Sequence, residues 1–217
     1  MKKSEKLNTY HHGDLKTALL DAGEEILSQK GPEAISLREI ARACGVSQTA
    51  PYRHFSNKEA LLVAIAIRAF EEFGHTLRVA KESRSDPKAK LHELGKAYVE
   101  YGLNHPHRLR LMFGRQSVLQ SKDDNSIAAK GVGFSLLEDT VEELIQGDEK
   151  RLKAATIAAW SLVHGFTMLV LSLPNGTLGA SDSDHADLLY TMLEMLQHGL
   201  FALPYAGDST DSVTLVT

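Results

Sequence analysis

A group of polar and amphipathic side chains lies close together near residue 50: Gln48, Thr49, Tyr52 and Arg53. Amide and hydroxyl groups can hydrogen-bond base edges, methyl groups can contact thymine, and cations can reach phosphates. On one short helix, these residue types would suit the major groove of double-stranded DNA. The chemistry that the sequence offers here is binding rather than catalysis.

The residues before this group predict the elements that present it. Residues 36–39, Ser-Leu-Arg-Glu, have the Ser-x-x-Glu pattern of a capping box and predict a short helix through Cys44. Gly45 can adopt the left-handed conformation that ends this helix, and Ser47 can cap a second short helix over about 48–54. Two short helices joined in this way have the spacing of a helix-turn-helix, although two packing helices of an ordinary bundle have it too.

The composition is that of an ordinary globular protein rather than a basic nucleic-acid coat. The chain has 217 residues, 24 Lys and Arg, 28 Asp and Glu, and a formal net charge of −4. Within 36–58, however, Arg38, Arg42, Arg53 and Lys58 face only Glu39, so this stretch is locally positive. We therefore expect any anion-binding surface to be small and confined.

Several classes of protein are disfavoured by what the sequence contains. One cysteine cannot form a disulfide framework or a multi-cysteine metal cluster. No histidine pair stands at i,i+4 with a carboxylate to complete a metal site, so no metal is predicted. No Gly-x-Ser-x-Gly elbow or glycine-rich phosphate loop is present, so no enzymatic activity and no cofactor are predicted. The basic start lacks an apolar stretch behind it, which favours a reducing, cytoplasmic setting.

Helical periodicity runs through the chain, and strand alternation does not. The sequence predicts an all-α fold of about nine helices, near 15–30, 37–44, 48–54, 58–80, 87–103, 105–113, 127–146, 150–173 and 187–201. Capping-box residues at 56–59 and the Asp86-Pro87 pair mark two of the helix starts. We divide the chain into an N-terminal helix-turn-helix domain over 1–57, a second helical domain over 58–203, and a disordered tail over 204–217.

Two stretches of sequence resemble a known family. Tyr10-His11-His12-Gly13-Asp14-Leu15 and the run ISLREIARACGVSQTAPYRHFSNKEALL closely resemble the DNA-binding domain of the tetracycline-repressor (TetR) family, over about residues 10–78. Trp160, His164 and Gly165 look like the Trp-x-x-x-His-Gly signature of one group of TetR effector domains. The resemblance implies a homodimeric repressor that binds a pseudo-palindromic double-stranded DNA operator and is released by a small-molecule effector.

The resemblance also implies roles for individual residues. Gln48, Thr49 and Tyr52 would face the groove, and Phe55 would belong to the core. Phosphate contacts would come from Tyr52, His54 and Lys58, and a contact to the backbone or a flanking base from Arg38. Pro51 departs from the family pattern, and it lacks the N–H that a helix would donate to the Ser47 carbonyl. We therefore expect a recognition helix that is tighter or slightly bent at its start.

Two further sets of residues are assigned to the second domain. Aromatic rings with a few polar tips suit a mostly apolar effector pocket, although they suit plain core as well; this set is Tyr98, Tyr101, Phe113, Phe134, Trp160 and His164. The last two helices resemble those with which TetR proteins dimerise. The candidate interface residues there are Leu162, Phe166, Leu189, Leu193 and Leu196.

Two alternatives concern the second domain. Residues 154–173 carry no charge and are long enough to span a membrane, but they include polar residues and stand alone in the chain. We therefore predict a helix buried on most sides, in its own domain and against a partner subunit, and no membrane association. The other alternative is a DNA-binding helical protein whose second domain binds a protein partner instead of a small molecule.

Overall fold

The fold is all-α, as predicted. A computed structural model describes residues 15–114, 124–145, 149–174, 177–178 and 184–202, and all regular structure in these ranges is helical. The α-helices are α1 (Leu15–Lys30), α2 (Leu37–Ala43), α3 (Lys58–Glu82), α4 (Pro87–Asn104), α5 (Pro106–Phe113), α6 (Asp124–Glu142), α7 (Glu149–Ser172) and α8 (Asp184–Ala202). Two 3₁₀ turns, Pro32–Ala34 and Ala50–Arg53, precede α2 and α3. The predicted tail lies outside the described residues.

Local capping explains where the helices begin and end. Ser36 Oγ accepts a hydrogen bond from the Glu39 N–H at 3.1 Å, and Asp86 Oδ2 accepts one from the Ala89 N–H at 2.9 Å, so both predicted caps are confirmed. Gly45 has a φ of +67°, the left-handed conformation predicted for the end of α2. At α3 the cap is one residue later than predicted, because Asn57 Oδ1 accepts from the Ala60 N–H at 2.8 Å.

The second short helix of the predicted pair is a 3₁₀ turn rather than an α-helix over 48–54. The Ala50 N–H donates to the Ser47 carbonyl at 3.0 Å, which closes an i→i+3 turn. Because Pro51 has no N–H, the i→i+4 bond to that carbonyl cannot form, and the chain tightens as expected. Ser47 Oγ lies 3.2 Å from Thr49 Oγ1 and does not cap the turn.

The chain divides into two compact units. The first comprises residues up to Gly74 together with Asn104–Val132, and the second comprises His75–Leu103 and the residues from Gly133 onward. α5 therefore belongs to the unit that contains the helix-turn-helix, although it follows that motif by about fifty residues. The division reflects which residues contact one another and does not test where a domain ends along the sequence. The predicted domain boundary at residue 57 therefore stays a prediction.

One apolar core holds the first unit together. α1, α2, α3 and α5 each contribute to it, and its buried members include Leu19, Leu27, Ile40, Phe55, Leu61, Ile65 and Leu111. Burial of a leucine or phenylalanine side chain contributes about 1.5–3 kcal/mol. Phe55 is 3% exposed, which confirms its predicted place in the core.

In the second unit, α4, α7 and α8 meet at Gly95. A Cβ at this position would lie 2.8 Å from Leu193 Cδ1 and 3.6 Å from Val163 Cγ2, so a larger residue would require the Leu193 side chain to shift. Buried Thr140, Thr156 and Thr167 donate their hydroxyls to carbonyls one turn earlier in their own helices. These polar groups are thus satisfied inside an apolar unit.

α7 is partly covered within the single chain. In the described part of the chain it is the one helix long and apolar enough to cross a membrane by length and composition, a property that core helices of other proteins share. One third of its most apolar window is buried within the single chain, and the predicted cover by a partner subunit stays a prediction. Its buried side includes Ala159, Val163 and Phe166, and Ile157 and Leu169 are exposed.

Candidate nucleic-acid interface

The helix-turn-helix presents its polar residues outward and its apolar ones inward. Ile40 and Ala41 of α2 and Pro51 of the 3₁₀ turn are buried. All the predicted DNA contacts except Lys58 are exposed, namely Arg38, Gln48, Thr49, Tyr52 and His54. Tyr52 stands out because it is a large aromatic residue and is 52% exposed. The structure therefore brings five of the six predicted contacts to the surface around one turn.

Lys58 has a second task within the protein. Its Nζ donates to the carbonyl oxygen of Glu33 at 3.1 Å, which ties the start of α3 to the Pro32–Ala34 turn. The side chain is half-buried as a result. An ammonium has three protons, so this bond leaves capacity for a phosphate oxygen. The sequence showed the charge of Lys58 but not this anchoring bond.

The local positive charge is preserved in the fold. Glu39, the acid among residues 36–58, pairs with Lys30 of α1 at 3.1 Å. The negative charge of Glu39 is thus neutralised by a lysine that lies outside residues 36–58. Arg38, Arg42 and Arg53 are all exposed. A phosphate backbone that approached this surface would meet a small patch of excess positive charge.

Cys44, at the end of α2, is a structural residue. Its Sγ donates to the Ala18 carbonyl at 3.4 Å. Burial raises the pKa of the Cys44 thiol, and the nearby Asp21 carboxylate adds to this effect. The thiol therefore stays protonated near neutral pH, which makes it a poor nucleophile.

A network of ion pairs braces the first unit behind the helix-turn-helix. Arg68 of α3 binds Asp21 at 2.8 Å and Glu24 at 3.2 Å, both on α1. Arg108 of α5 binds Glu24 at 3.4 Å and also binds Glu72 of α3. Burial raises the pKa of Glu24, although the two guanidinium groups act against this shift. The sequence contained these charges but no local signal for their pairing.

Phe113 lies in the first unit, whereas the other residues of the predicted effector pocket lie in the second. Its ring lies edge-on to Phe70 at 5.5 Å and to Phe73 at 6.4 Å between centroids. Each such contact stabilises the fold by about 0.5–1.5 kcal/mol, in addition to the contribution of the apolar area that it buries. Phe113 therefore fastens α5 to α3.

The rest of the predicted pocket set lies in the second unit, where three of its members form a hydrogen-bonded series. Tyr98 Oη and His164 Nδ1 are 2.7 Å apart, and Trp160 donates to the Tyr98 oxygen. Burial raises the pKa of Tyr98 and lowers that of His164, so both are neutral near pH 7. Because the Tyr98 oxygen already accepts from Trp160, its own O–H is the donor to His164 Nδ1. Phe134 meets Trp160 edge-on at 6.5 Å, and Tyr101 is buried.

The candidate interface residues have different environments in the single chain. Phe166, Leu189 and Leu193 are buried, whereas Leu162 and Leu196 are half-buried. The large apolar side chains that α7 and α8 leave exposed are Ile157, Leu169, Leu188, Tyr190 and Met195. Within the described residues, no cluster of His, Cys, Asp and Glu could hold a metal ion.

An open cleft between α4 and α8 was not predicted. Its volume is about 370 Å³, and its walls carry both acidic and basic groups. The His92 ring stacks on Tyr190 at 4.5 Å, and His92 Nε2 lies 2.8 Å from Glu194 Oε1. Because its charges are mixed, the cleft favours no particular class of ligand.

Comparison with known proteins bears on the helix-turn-helix and on the second unit. Residues 19–65 match the family described as bacterial regulatory proteins, tetR family, and residues 91–203 match the tetracyclin repressor-like C-terminal domain. YobS of Bacillus subtilis, an uncharacterized HTH-type transcriptional regulator, is 24% identical over 70% of this chain and 76% of its own. The HTH-type transcriptional activator FasR of Mycolicibacterium smegmatis is 28% identical over 60% of this chain and 58% of its own.

Solved structures show the same fold. A protein of unknown function from Rhodococcus sp. RHA1 aligns with a TM-score of 0.75 and 28% identity, over 88% of this chain and 97% of its own. The regulator FadR from Bacillus subtilis, solved in complex with stearoyl-CoA, aligns with a TM-score of 0.61 and 17% identity, over 84% and 98%. The second family match alone spans just over half of the sequence. This chain belongs to the TetR family and is a helix-turn-helix transcriptional regulator, not an enzyme.

Proposed function

We propose that this regulator is a homodimeric repressor in the bacterial cytoplasm that binds a pseudo-palindromic operator and is released by a small molecule. The observation that carries the proposal is the exposure of Arg38, Gln48, Thr49, Tyr52 and His54 in the helix-turn-helix, next to the buried Pro51. Polar side chains held at fixed positions, with no role in the core, are suited to an external polar partner. The excess positive charge of the same stretch suits a phosphate backbone.

The contacts divide by chemistry into two kinds. Gln48 and Thr49 directly precede the 3₁₀ turn and carry an amide and a methyl group, which are suited to base edges. Tyr52, His54 and Lys58 follow and are proposed to bind phosphate, which fixes the register of the turn on the duplex. DNase protection of the region beside the gene would identify the operator. A protected sequence without two related half-sites would contradict the proposed mode of binding.

The proposed dimer uses the surface that α7 and α8 leave uncovered. Leu188 and Met195 are seven residues apart and share one face of α8, and α7 exposes Ile157 and Leu169. Large apolar side chains on adjacent helices mark an interaction surface. A two-fold dimer would carry its recognition turns about 34 Å, or a multiple of that distance, apart. Sedimentation of the wild-type protein tests this, since a monomer at micromolar concentration would contradict it.

Release by a small molecule is proposed from the second unit. The unit mixes aromatic rings with the polar groups of Tyr98, Trp160 and His164, as ligand sites commonly do. The FadR structure holds stearoyl-CoA, so a protein of this fold accommodates a ligand. Wild-type protein bound to its operator would be titrated with fractionated metabolite extract. Release by a fraction of small molecules supports the proposal, whereas release only by a protein fraction would favour the protein-partner alternative.

Repression, rather than activation, is the proposed sense of regulation, and a reporter gene tests it. FasR is named an activator, so relatives of this chain do not all repress. A reporter gene placed behind the protected region would be measured with and without the regulator. Higher expression without the regulator is expected for a repressor. Lower expression would make this protein an activator and leave its operator binding intact.

A further inference from the structure

A buried amide without a partner lies on α8. Gln197 is 5% exposed, and its Nε2 is buried and has no hydrogen-bond partner. A buried donor without an acceptor destabilises the folded protein, because it loses its hydrogen bond to water and gains none. Other buried polar side chains of this unit, such as Thr156 and Thr167, are fully accounted for by bonds within their own helices. Gln197 is therefore the exception among them, and such an exception calls for a group that completes it.

The helix register places this amide beside the polar series. Leu193 precedes Gln197 by one turn of α8 and lies against Gly95 of α4 and close to Val163 of α7. Along α4 and α8 the contacts advance in the same direction, because the His92 ring stacks on Tyr190 and Gly95 meets Leu193. Gln197 thus stands about 5.4 Å beyond the Gly95 contact. Tyr98 lies at the corresponding level of α4.

His164, which accepts the Tyr98 proton, follows Val163 directly on α7. Four polar residues therefore lie within about one helical turn of the point where Gly95, Val163 and Leu193 meet. They are Tyr98, Trp160, His164 and Gln197. The same stretches of α4 and α7 also carry the buried apolar residues Val99, Ala155 and Ala159. A small set of polar groups in an apolar layer is typical of a site that orients a mostly apolar ligand.

The chemistry of these groups selects the polar part of the ligand. An amide N–H needs an acceptor. Tyr98 and His164 are neutral near pH 7, and the Gln197 amide carries no charge. A carboxylate buried beside neutral groups would lose its hydration without gaining a cation, whereas a neutral carbonyl loses much less. The carbonyl of an ester, thioester, amide or ketone therefore fits this layer better than a free acid.

We propose that the effector carries a neutral carbonyl group on an otherwise apolar body, and that the Gln197 amide donates a hydrogen bond to that carbonyl. The proposal rests on the proposed function, in which a small molecule releases the operator. It adds the chemical class of that molecule and the residue that recognises it. Tyr98, His164 and Trp160 act as the fixed polar surroundings of the bound group.

The experiment uses the full-length protein and its single tryptophan, Trp160, whose emission reports on this layer. The probes are methyl esters from hexanoate to hexadecanoate, the alkanes with equal numbers of heavy atoms, and the corresponding free acids. We expect at least one ester to change the Trp160 emission at about tenfold lower concentration than its matched alkane or acid. In Gln197→Leu, the advantage of the ester over the alkane should disappear.

A second readout does not depend on any ligand. Because leucine leaves no unmet donor, Gln197→Leu should raise the Tm of the ligand-free protein by about 2–4 °C. Gln29→Leu is the matched control, since Gln29 is exposed on α1, and it should change neither the Tm nor probe binding. A lower Tm in Gln197→Leu would show that the amide was satisfied and would overturn the inference.

Three other results would also overturn it: no ester binds the wild type, the ester keeps its advantage in Gln197→Leu, or the free acid binds more tightly than the ester. None of these bears on operator release by other small molecules, which is measured separately with metabolite extract. A regulator that is released by such a fraction and ignores every ester keeps its proposed function and loses this carbonyl site. If nothing in the extract releases the operator, the proposed function fails instead.

Discussion

Replacement of Arg108 by methionine should weaken the first unit from a position far from the helix-turn-helix. Arg108 reaches from α5 to Glu24 of α1 and Glu72 of α3. Methionine keeps much of the apolar stem and removes the charge. Glu24, with 16% of its side chain exposed, would then depend on Arg68 alone. The variant tests whether α5 is a structural part of the unit that carries the recognition turn.

The size of the effect follows from the exposure of the two partners. Glu72 is about half exposed, so its pair with Arg108 contributes about 0.2–1 kcal/mol. Arg108 and Glu24 are 17% and 16% exposed, and breaking this pair costs less than the roughly 3–5 kcal/mol of a fully buried one. Together we expect a loss of about 1–2 kcal/mol, which lowers the Tm by about 2–8 °C.

The loss should also depend on pH in a defined direction. The pKa of Glu24 is raised in the folded protein, so its contribution to stability is fully present below the ordinary glutamate value and is lost as the pH rises through the raised value. Removal of Arg108 raises this pKa further. The difference in stability between wild type and Arg108→Met should therefore widen with rising pH across that window.

Thermal unfolding at several pH values measures both effects. Arg110→Met is the control, because Arg110 is exposed on the same helix. If Arg108→Met changes the Tm no more than Arg110→Met does, the bridge from α5 contributes nothing and the reasoning is wrong. A difference that narrows with rising pH would refute the assignment to Glu24.

Three further predictions concern DNA, assembly and the second unit. Gln48→Ala should lose about 1–3 kcal/mol of discrimination at particular base pairs. Lys58→Ala should weaken binding to all DNA sequences and reduce the slope of log K against log salt concentration by about 1. Competition assays with mutated operators test both, and the opposite pattern would show that the two roles are reversed. Leu169→Glu combined with Met195→Glu should give soluble monomers by sedimentation, since both residues are exposed in the single chain; a stable dimer would place the interface elsewhere. Tyr98→Phe removes the hydrogen bond to the half-buried His164 and should cost about 0.5–1.5 kcal/mol in chemical unfolding; an unchanged midpoint would contradict the hydrogen bond.

The pH dependence of the second unit offers a companion measurement. Burial lowers the pKa of His164, so its contribution to stability is fully present above the ordinary histidine value and is lost as the pH falls through the lowered one. Because phenylalanine cannot donate to Nδ1, the imidazole in Tyr98→Phe is easier to protonate. The acid loss of stability should therefore end at a higher pH and be smaller in Tyr98→Phe than in the wild type, because the folded imidazole takes up its proton sooner as the pH falls. Identical acid limbs would contradict this.

Most of the helix boundaries could be predicted from the sequence, because they depend on interactions over three or four residues. Ser36, Gly45 and Asp86 fixed helix ends that the structure reproduces. The family resemblance, likewise, depended on a contiguous run of residues. Where two adjacent residues could each cap the helix, the sequence did not distinguish them, and Asn57 rather than Ser56 is the cap of α3. Pro51 predicted a tighter turn, and the full conversion to a 3₁₀ turn follows from its missing N–H.

What the sequence by itself determined was the helical class, the helix-turn-helix and the chemistry of its exposed side chains. Only the tertiary structure decided that Phe113 packs in the first unit, that Arg108 meets Glu24 from 84 residues away, and that Tyr98 meets His164 from 66 residues away. Helical periodicity identifies which residues face inward, but not which helix they will face. Partners at these separations are selected by the packing of whole helices, which no local pattern in a single sequence records.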